Sequence, residues 1–384
     1  MTGVLVDLPD ELADLRDLVR RFVAERIRPA EAALDPVARA IPDHVLAPLQ
    51  AEARRIGLWC LDAPAEFGGG GLDAFSSVVV WEEASRHRFC HPTPGGGVFG
   101  LNPPSPLYQG SPEVIERYVR PHIAEGWVAF NAVAEESGGT DPAGAIRTTA
   151  RRDGDQWVLN GTKMWITHAD RAHYGVVYAR APLGVSCFIV DAGLPGVVVE
   201  PIPVIRDNWP TILRLDDVRV PAGHLVGEEG EGLRLAGRWV QRGRLVYAAR
   251  SIGVADEAVR HAVEWVGQRQ TFGRALATRQ SVQFAIADSR VEIEAARGLT
   301  WSAARAVDSG RDARRDVAMA KLYATEMAFR VVDRMMQLLG ATGMSRQLPL
   351  EGWLRDLRVA RVVEGSSEIL RVHIARSELG PQPS

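Results

Sequence analysis

Three segments of the chain concentrate the side chains from which proton transfer and cofactor binding are built. Ala134-Glu135-Glu136-Ser137-Gly138-Gly139-Thr140-Asp141 is a glycine-rich loop of carboxylates and hydroxyls. Met164-Trp165-Ile166-Thr167 sets an aromatic ring beside a hydroxyl, and Val363-Glu364-Gly365-Ser366-Ser367-Glu368-Ile369 places a glutamate before a glycine. A positioned carboxylate moves protons, and an aromatic plane walls off a ligand. Each segment alone also has an ordinary explanation: a turn, a half-buried packing residue, a helix end.

Other chemistries find little support. The nine histidines are scattered and make no HxxxH or HExxH set with nearby acids, so no metal site is expected. No GxSxG elbow supports a hydrolase. Gly68-Gly69-Gly70-Gly71 follows a proline-containing loop rather than a strand, so it predicts a flexible turn between helices, not a dinucleotide fingerprint.

The elements that must carry these segments fall into three blocks. From Pro9 to about Gly126 the pattern is helical, opening with the apolar stripe Leu12, Leu15, Val19, Phe22 and Val23. Further helices are expected around Val45–Ile56, Ala74–Arg86 and Pro112–Ala124, separated by glycine- and proline-rich stretches. Near Asn131 the period changes. Gln156–Leu159, the turn pair Asn160-Gly161 and Lys163–Thr167 predict a β-hairpin, and Val176–Ala179, Cys187–Val190, Val197–Glu200 and Ile212–Val220 predict short strands. After Gly232 the chain is helical again. There Val317, Ala320, Ala324, Met327, Val331, Met335 and Leu338 trace a stripe that ends at Gly340. The expected architecture is an α+β multidomain chain: an N-terminal all-α domain (1–128), a small β-barrel or sandwich domain (129–232), and a C-terminal four-helix bundle (233–384).

Composition narrows the setting. A chain of 384 residues with a formal net charge of -3 gives no global attraction for nucleic acid or an anionic membrane. Three separated cysteines, Cys60, Cys90 and Cys187, fit a reducing, cytoplasmic compartment. Met1–Glu11 lacks the pattern of a signal peptide, and no apolar run is long enough for a membrane span, so a soluble protein is expected.

The three segments, in this order and spacing, resemble the acyl-CoA dehydrogenase family, whose usual forms are a TEPxAGSD loop, a WIT segment and a terminal EGTSEI. Arg269-Gln270-Thr271-Phe272-Gly273-Arg274 with Gln280 resembles that family's R-x-T-F-G…Q segment, and Gln337-Leu338-Leu339-Gly340 its QxxGG segment. Asp216-Asp217-Val218-Arg219-Val220-Pro221 and Gly227-Glu228-Glu229-Gly230 match its DVxVP and GEEG turns. The resemblance runs from the N-terminal helices to Arg376.

That resemblance implies a cofactor, a reaction and a role for each matched residue. FAD is expected in a cleft between the β domain and the bundle, with Trp165 covering one flavin face and Thr167 bonding near N5. Arg269, Thr271, Phe272, Gln280 and Gln337 are expected to reach the FAD of a neighbouring subunit, which requires a homo-oligomer, in relatives a homotetramer built as a pair of dimers. Ala134, Thr140, Gly340, Ala341, Ser366 and Glu368 complete the expected cofactor contacts. Thr140, Gln241, Arg244, Val363 and Gly365 are expected at the substrate. Glu364 is the expected base, taking the α-proton of an acyl-CoA thioester while hydride leaves the β-carbon for the flavin, giving a trans-2-enoyl thioester. Some members carry the base on the first long bundle helix, at a position that is Gly243 here, and glycine cannot act as a base. Electron-transferring flavoprotein is the expected electron acceptor.

Several departures from the pattern touch function. Ala134 and Glu136 stand where the family has Thr and Pro, Thr140 replaces a serine, and Ala341 replaces a glycine. Gln241 stands where an aspartate often helps bind CoA, which leaves a carrier-protein thioester open as the substrate, and Val363 replaces a tyrosine. A flavin oxidase or monooxygenase on the same fold is the alternative activity. A noncatalytic relative would be expected to lose Glu364 or the WIT segment, and both are present.

Overall fold

The structure is a computed structural model that describes residues 8–380; the first seven residues of the Met1–Glu11 stretch lie outside them. The chain forms two compact units, one of residues 59–71 and 99–241, the other of residues 8–58, 72–98 and 242–380. An N-terminal helical region, a middle β domain and C-terminal helices follow one another along the sequence, as expected.

The first unit is built on one eight-stranded sheet. Its strands are β1 (Ala129–Ala132), β2 (Thr149–Asp153), β3 (Gln156–Ile166), β4 (Tyr174–Ala181), β5 (Gly184–Asp191), β6 (Val197–Pro201), β7 (Thr211–Pro221) and β8 (Leu225–Val226). They lie in the order β6-β7-β3-β2-β4-β5-β8, with β1 pairing parallel to β4. Alternation assigns the two faces. Tyr174, Val176 and Tyr178 join Trp59, Leu107, Ile115 and Val119 in one core, while Val177 and Ala179 join Phe130, Trp157, Leu159 and Phe188 in the other. With both faces covered, β4 and β5 are almost wholly buried, which is why they read as apolar runs.

Two turns differ from expectation. Asn160-Gly161 is not a hairpin turn: both residues lie inside the continuous strand β3, at a register shift against β7. Gly161 is needed there for space, since a Cβ would meet Thr148 Oγ1 at 2.5 Å. The side chain of Asn160 instead pairs with Asp217, accepting from its backbone N–H and donating to its carboxylate, both at 2.9 Å. The true hairpin joins β2 to β3 through Gly154-Asp155, with Gly154 at φ 63°. The Gly68–Gly71 run is likewise packed, not loose. A Cβ on Gly69 would overlap the Ala63 carbonyl oxygen, and the backbone N–H groups of Gly69, Gly70 and Gly71 donate to Pro64, Cys60 and Ala63.

The second unit is helical. Long helices at Gly232–Gln268 (from residue 242 onward in this unit), Gln280–Asp308 and Arg314–Leu339, with Leu350–Ala360 and Ser367–Leu379, follow the N-terminal helices Asp10–Phe22, Asp43–Arg55 and Ala74–Ala84. Alanines let the long helices approach closely: Ala248, Ala255, Ala258, Ala262, Ala296, Ala324 and Ala328 are fully buried among Met327, Val331 and Met335. The last apolar stripe closes on buried Leu339 rather than Leu338, followed by Gly340 at φ 61°. A buried ionic cluster ties Ala74–Ala84 to the long helices: Arg297 pairs with Glu82 at 2.7 Å, and Arg86 pairs with Asp256 and Glu83. Removing one partner of such a cluster strands a buried charge, so its members hold one another in place.

Candidate active site

The segment after Leu350–Ala360 cannot continue as helix, because Glu364 adopts φ 54° and Gly365 φ 92°. A non-glycine residue in this region is strained, so something must hold it. Two cations do. Arg244 Nε donates to the Glu364 carbonyl at 2.9 Å, and Lys321 Nζ donates to the Gly365 carbonyl at 2.9 Å. Below the turn, Ser366 Oγ accepts from the Ile369 N–H and starts the helix Ser367–Leu379, while Ser367 Oγ donates to Glu326 at 2.6 Å. Arg361 pairs with the same Glu326 at 2.8 Å. The turn is thus fixed at both ends before any ligand arrives.

The carboxylate of Glu364 lies against Gly243. A Cβ built on Gly243 would stand 3.0 Å from the carboxyl carbon and 3.2 Å and 3.3 Å from its oxygens. Gly243, the alternative base position that the resemblance implies, is therefore beside the Glu364 carboxylate in space. Gly365 is equally confined: a Cβ there would meet Arg244 Nη2 at 3.0 Å.

Burial pushes the Glu364 carboxyl up to about 7, against the pull of Arg244, Lys321 and Arg250. Burial likewise pushes the fully buried Lys321 down to about 8, with Glu364 opposing, and draws Arg244 below its ordinary value. A carboxyl that titrates near neutrality, ringed by cations that stabilise its ionised form, is suited to exchanging a proton. Lys321 and Arg250 are charged neighbours of Glu364 that the sequence reading misses. Lys321 is legible in principle, since it sits on the buried stripe of Val317, Ala320 and Ala324, where a charge requires a reason.

Trp165 and Thr167 lie in the first unit, at the end of β3. Between Lys163 and Ile166 the pairing with β7 slips, and Trp165 takes φ 66°, leaving its ring 52% exposed. Thr211 Oγ1 anchors the far side by donating to the Ile166 carbonyl at 3.0 Å. The loop at Ala134 is tied to the same strand, because Met164 N–H donates to the Ala134 carbonyl at 3.0 Å. Buried Glu135 accepts from Lys163 Nζ at 2.7 Å and from the N–H groups of Arg147 and Thr148. Burial alone would raise its carboxyl, yet these donors hold it below the ordinary range. Glu135 is thus the anchor of the loop. Thr140 is exposed, and Asp141 caps the short helix Pro142–Ala145. An indole held outward on a strained bulge, with a threonine two residues on, fits the wall of a planar cofactor such as flavin.

Most of the remaining expected residues are distant from Glu364 in sequence and exposed. Gln270–Thr271 and Arg274–Ala275 form a hairpin whose turn residues Phe272 and Gly273 have φ 49° and 73°, and the Phe272 ring is 97% exposed. Arg269, Gln280, Gln337, Gly340 and Ala341 are exposed, Thr271 is half-buried, and Glu368 is exposed in the first turn of its helix. Gln241 and Val363 are half-buried. Among the described residues no cluster of three or more His, Cys, Asp or Glu could hold a metal ion, and no helix is long and apolar enough to cross a membrane.

This order of helical, β and helical regions is also what comparison with known proteins returns. Models of the N-terminal, middle and C-terminal domains of acyl-CoA dehydrogenase match residues 9–126, 131–218 and 230–379. The chain belongs to the acyl-CoA dehydrogenase family, and it is an FAD-dependent oxidoreductase of that type. It is 34% identical to the short-chain specific acyl-CoA dehydrogenase of Rattus norvegicus mitochondria, over 96% of this chain and 90% of that one. It superposes on butyryl-CoA dehydrogenase from Megasphaera elsdenii with a TM-score of 0.86 at 27% identity, covering 98% of this chain and 100% of the other. An FAD complex of PigA is similar at a TM-score of 0.87 and 25% identity, over 97% and 98% of the two chains.

Proposed function

We propose that the enzyme oxidises the α,β-bond of a short acyl-CoA to the trans-2-enoyl-CoA, with Glu364 as the base. The carrying observation is the Glu364 carboxylate itself: strained into place by Arg244 and Lys321, seated against Gly243, and titrating near neutrality. The short-chain and butyryl-CoA enzymes among its relatives support a short acyl group.

Glu364 takes the proton from the carbon α to the thioester, a carbon acid that a carboxylate held near pH 7 matches better than one at its ordinary value. Its backbone N–H is the donor for the thioester oxygen as charge develops there, and Arg244 and Lys321 supply the positive surroundings in which that charge is stabilised. FAD, when bound, supplies the acceptor for the hydride from the β-carbon. Trp165 and Thr167 would wall and bond the flavin ring and keep water from it. Val363 and Gly365 flank the acyl group, and Arg244 and Thr140 serve the thioester carrier. The set of Phe272, Arg269, Gln280, Gln337, Gly340 and Ala341, all exposed, with half-buried Thr271, would be completed by a second copy of the chain, as in a homotetramer, and reduced enzyme would pass its electrons to electron-transferring flavoprotein.

The test mixes the FAD-loaded enzyme anaerobically with acyl-CoA thioesters and follows flavin bleaching. Bleaching by short acyl-CoA is expected, and Glu364→Gln should keep FAD and bind acyl-CoA while reduction slows by about a hundredfold or more. A Glu364→Gln enzyme that keeps more than a few per cent of the rate overturns the assignment. A yellow protein that only a carrier-protein thioester bleaches would redirect the reading to that substrate, and one consuming oxygen without thioester to an oxidase.

A further inference from the structure

Glu326 lies on the helix Arg314–Leu339, five residues and about one and a half turns beyond Lys321. Its two carboxylate oxygens reach two residues placed evenly about Glu364. Oε2 pairs with Arg361, three positions before Glu364, at 2.8 Å, and Oε1 accepts from Ser367 Oγ, three positions after it, at 2.6 Å. Each partner is itself engaged. The Arg361 guanidinium lies over the Phe329 ring, 5.1 Å from its centroid, and the Ser367 N–H donates to the Arg361 carbonyl at 3.0 Å. Ser367 is buried, and the Glu326 side chain is only 17% exposed. Burial alone would raise the Glu326 carboxyl, yet Arg361 and Ser367 hold it below the ordinary range, so it is ionised wherever Glu364 titrates.

These contacts close a loop. Residues 362–366 leave the helix Leu350–Ala360 and return to the start of Ser367–Leu379, and the two ends meet at one backbone bond and one carboxylate. Arg244 and Lys321 grip the carbonyls of Glu364 and Gly365 at the tip of the loop, and Glu326 bridges its base. Two successive positive φ angles at the tip require surroundings that hold them, and ends kept together are part of those surroundings. For stability alone an apolar pair of similar size often serves as well as an enclosed ion pair. What the carboxylate adds is two directed bonds, one on each side of Glu364.

We propose that Glu326 is a positioning residue for the reaction: by joining Arg361 to Ser367 it keeps the Glu364 carboxylate seated against Gly243. The inference rests on the reading of Glu364 as base, and the bonds made and broken in that reading are unchanged.

The experiment follows anaerobic flavin reduction of FAD-loaded Glu326→Ala by butyryl-CoA at varied thioester concentration and pH, beside the wild type and Glu364→Gln. The limiting rate should fall about fivefold while half-saturation moves by less than about twofold and FAD content is unchanged. Arg244, Lys321 and Arg250 are the charged groups that bear on Glu364; with these kept and the loop loosened, water reaches its carboxyl, and the midpoint of the rate profile should move below 7. Without substrate, the fall in urea midpoint that a raised Glu364 carboxyl imposes as pH rises from about 4.5 to 7 should become shallower in Glu326→Ala. Glu326→Gln, which keeps an acceptor for Ser367 and loses the ion pair with Arg361, should lie between Glu326→Ala and the wild type. If Glu326→Ala fails to fold, Ser367→Ala, which removes one of the two bonds from the loop side, decides by the same measurements. A wild-type limiting rate, or a slower rate with the profile unmoved, overturns the proposal, and a slow Glu364→Gln then leaves the base assignment standing. A Glu364→Gln enzyme that keeps the wild-type rate overturns both.

Discussion

Glu364 and Trp165 share an uncommon backbone, at φ 54° and 66°, yet they are held there by different means. At Glu364 the restraint comes from side chains distant in sequence, Arg244 and Lys321, which grip the carbonyls on either side of the strained bond. At Trp165 it comes from the sheet: a slip in the β3–β7 pairing turns the residue outward, and the ladder on each side fixes the slip. Phe272, at φ 49°, is a third expected site residue in this conformation among six non-glycine cases in the described chain. Such strain persists only where its surroundings over-determine it. Glu364 is therefore set by electrostatics and Trp165 by topology, so charge changes should disturb the first and spare the second.

Lys321→Met should show the largest effect. It leaves the Gly365 carbonyl without its donor and slows flavin reduction about tenfold or more, while FAD stays bound. It also removes a cation that holds Glu364 down, so the rise of reduction rate with pH, centred near 7 in the wild type, should move upward. The folded carboxyl binds its proton more tightly than the ordinary 4.5, so stability falls as pH rises between about 4.5 and 7. Urea midpoints across that window should show the slope, and Glu364→Gln should flatten it. An unshifted rate profile in Lys321→Met would mean that the lysine acts only as a structural prop.

Gly243→Ala comes next, because its Cβ would press on the Glu364 carboxyl at 3.0 Å and displace it by a few tenths of an ångström. Reduction about tenfold slower at unchanged FAD content is expected; a wild-type rate would show that the carboxylate has room to yield. Trp165→Asn should be the mildest for the fold. Asparagine tolerates the left-handed backbone, so the denaturant midpoint should hold or rise by the equivalent of about 1 kcal/mol while FAD is released more readily on dilution. A clear loss of stability would place the indole in the core and not in the site.

Much of this is legible in the chain. The stripe from Val317 onward and the apolar runs of β4 and β5 report burial directly, and the segments around Glu364 and Trp165 are recognisable by residue type and order. Asn160-Gly161 misleads because an Asn-Gly pair serves a strand slip as well as a turn: the asparagine reaches across to Asp217 and the glycine clears Thr148. The tight packing of Gly69 on Ala63 is equally invisible locally, since it depends on a backbone six residues away. Arg250 escapes notice because a cation in a helix ordinarily points to water, whereas Lys321 could be read from its place on the buried stripe of its helix.

The missing side chain at Gly243 has a consequence for how this chemistry can be inherited. Two stretches of chain, 121 positions apart in the numbering, converge on one point, and only one of them carries a carboxylate. With Glu364 as the proposed base, a carboxylate at that point would serve whichever stretch delivered it. A lineage can therefore hand the duty from the loop to the helix through an intermediate that carries both or neither, with the surrounding cations already in place. Ancestry read from the position of the base alone would count such a transfer as two inventions, although the two positions share one point in space.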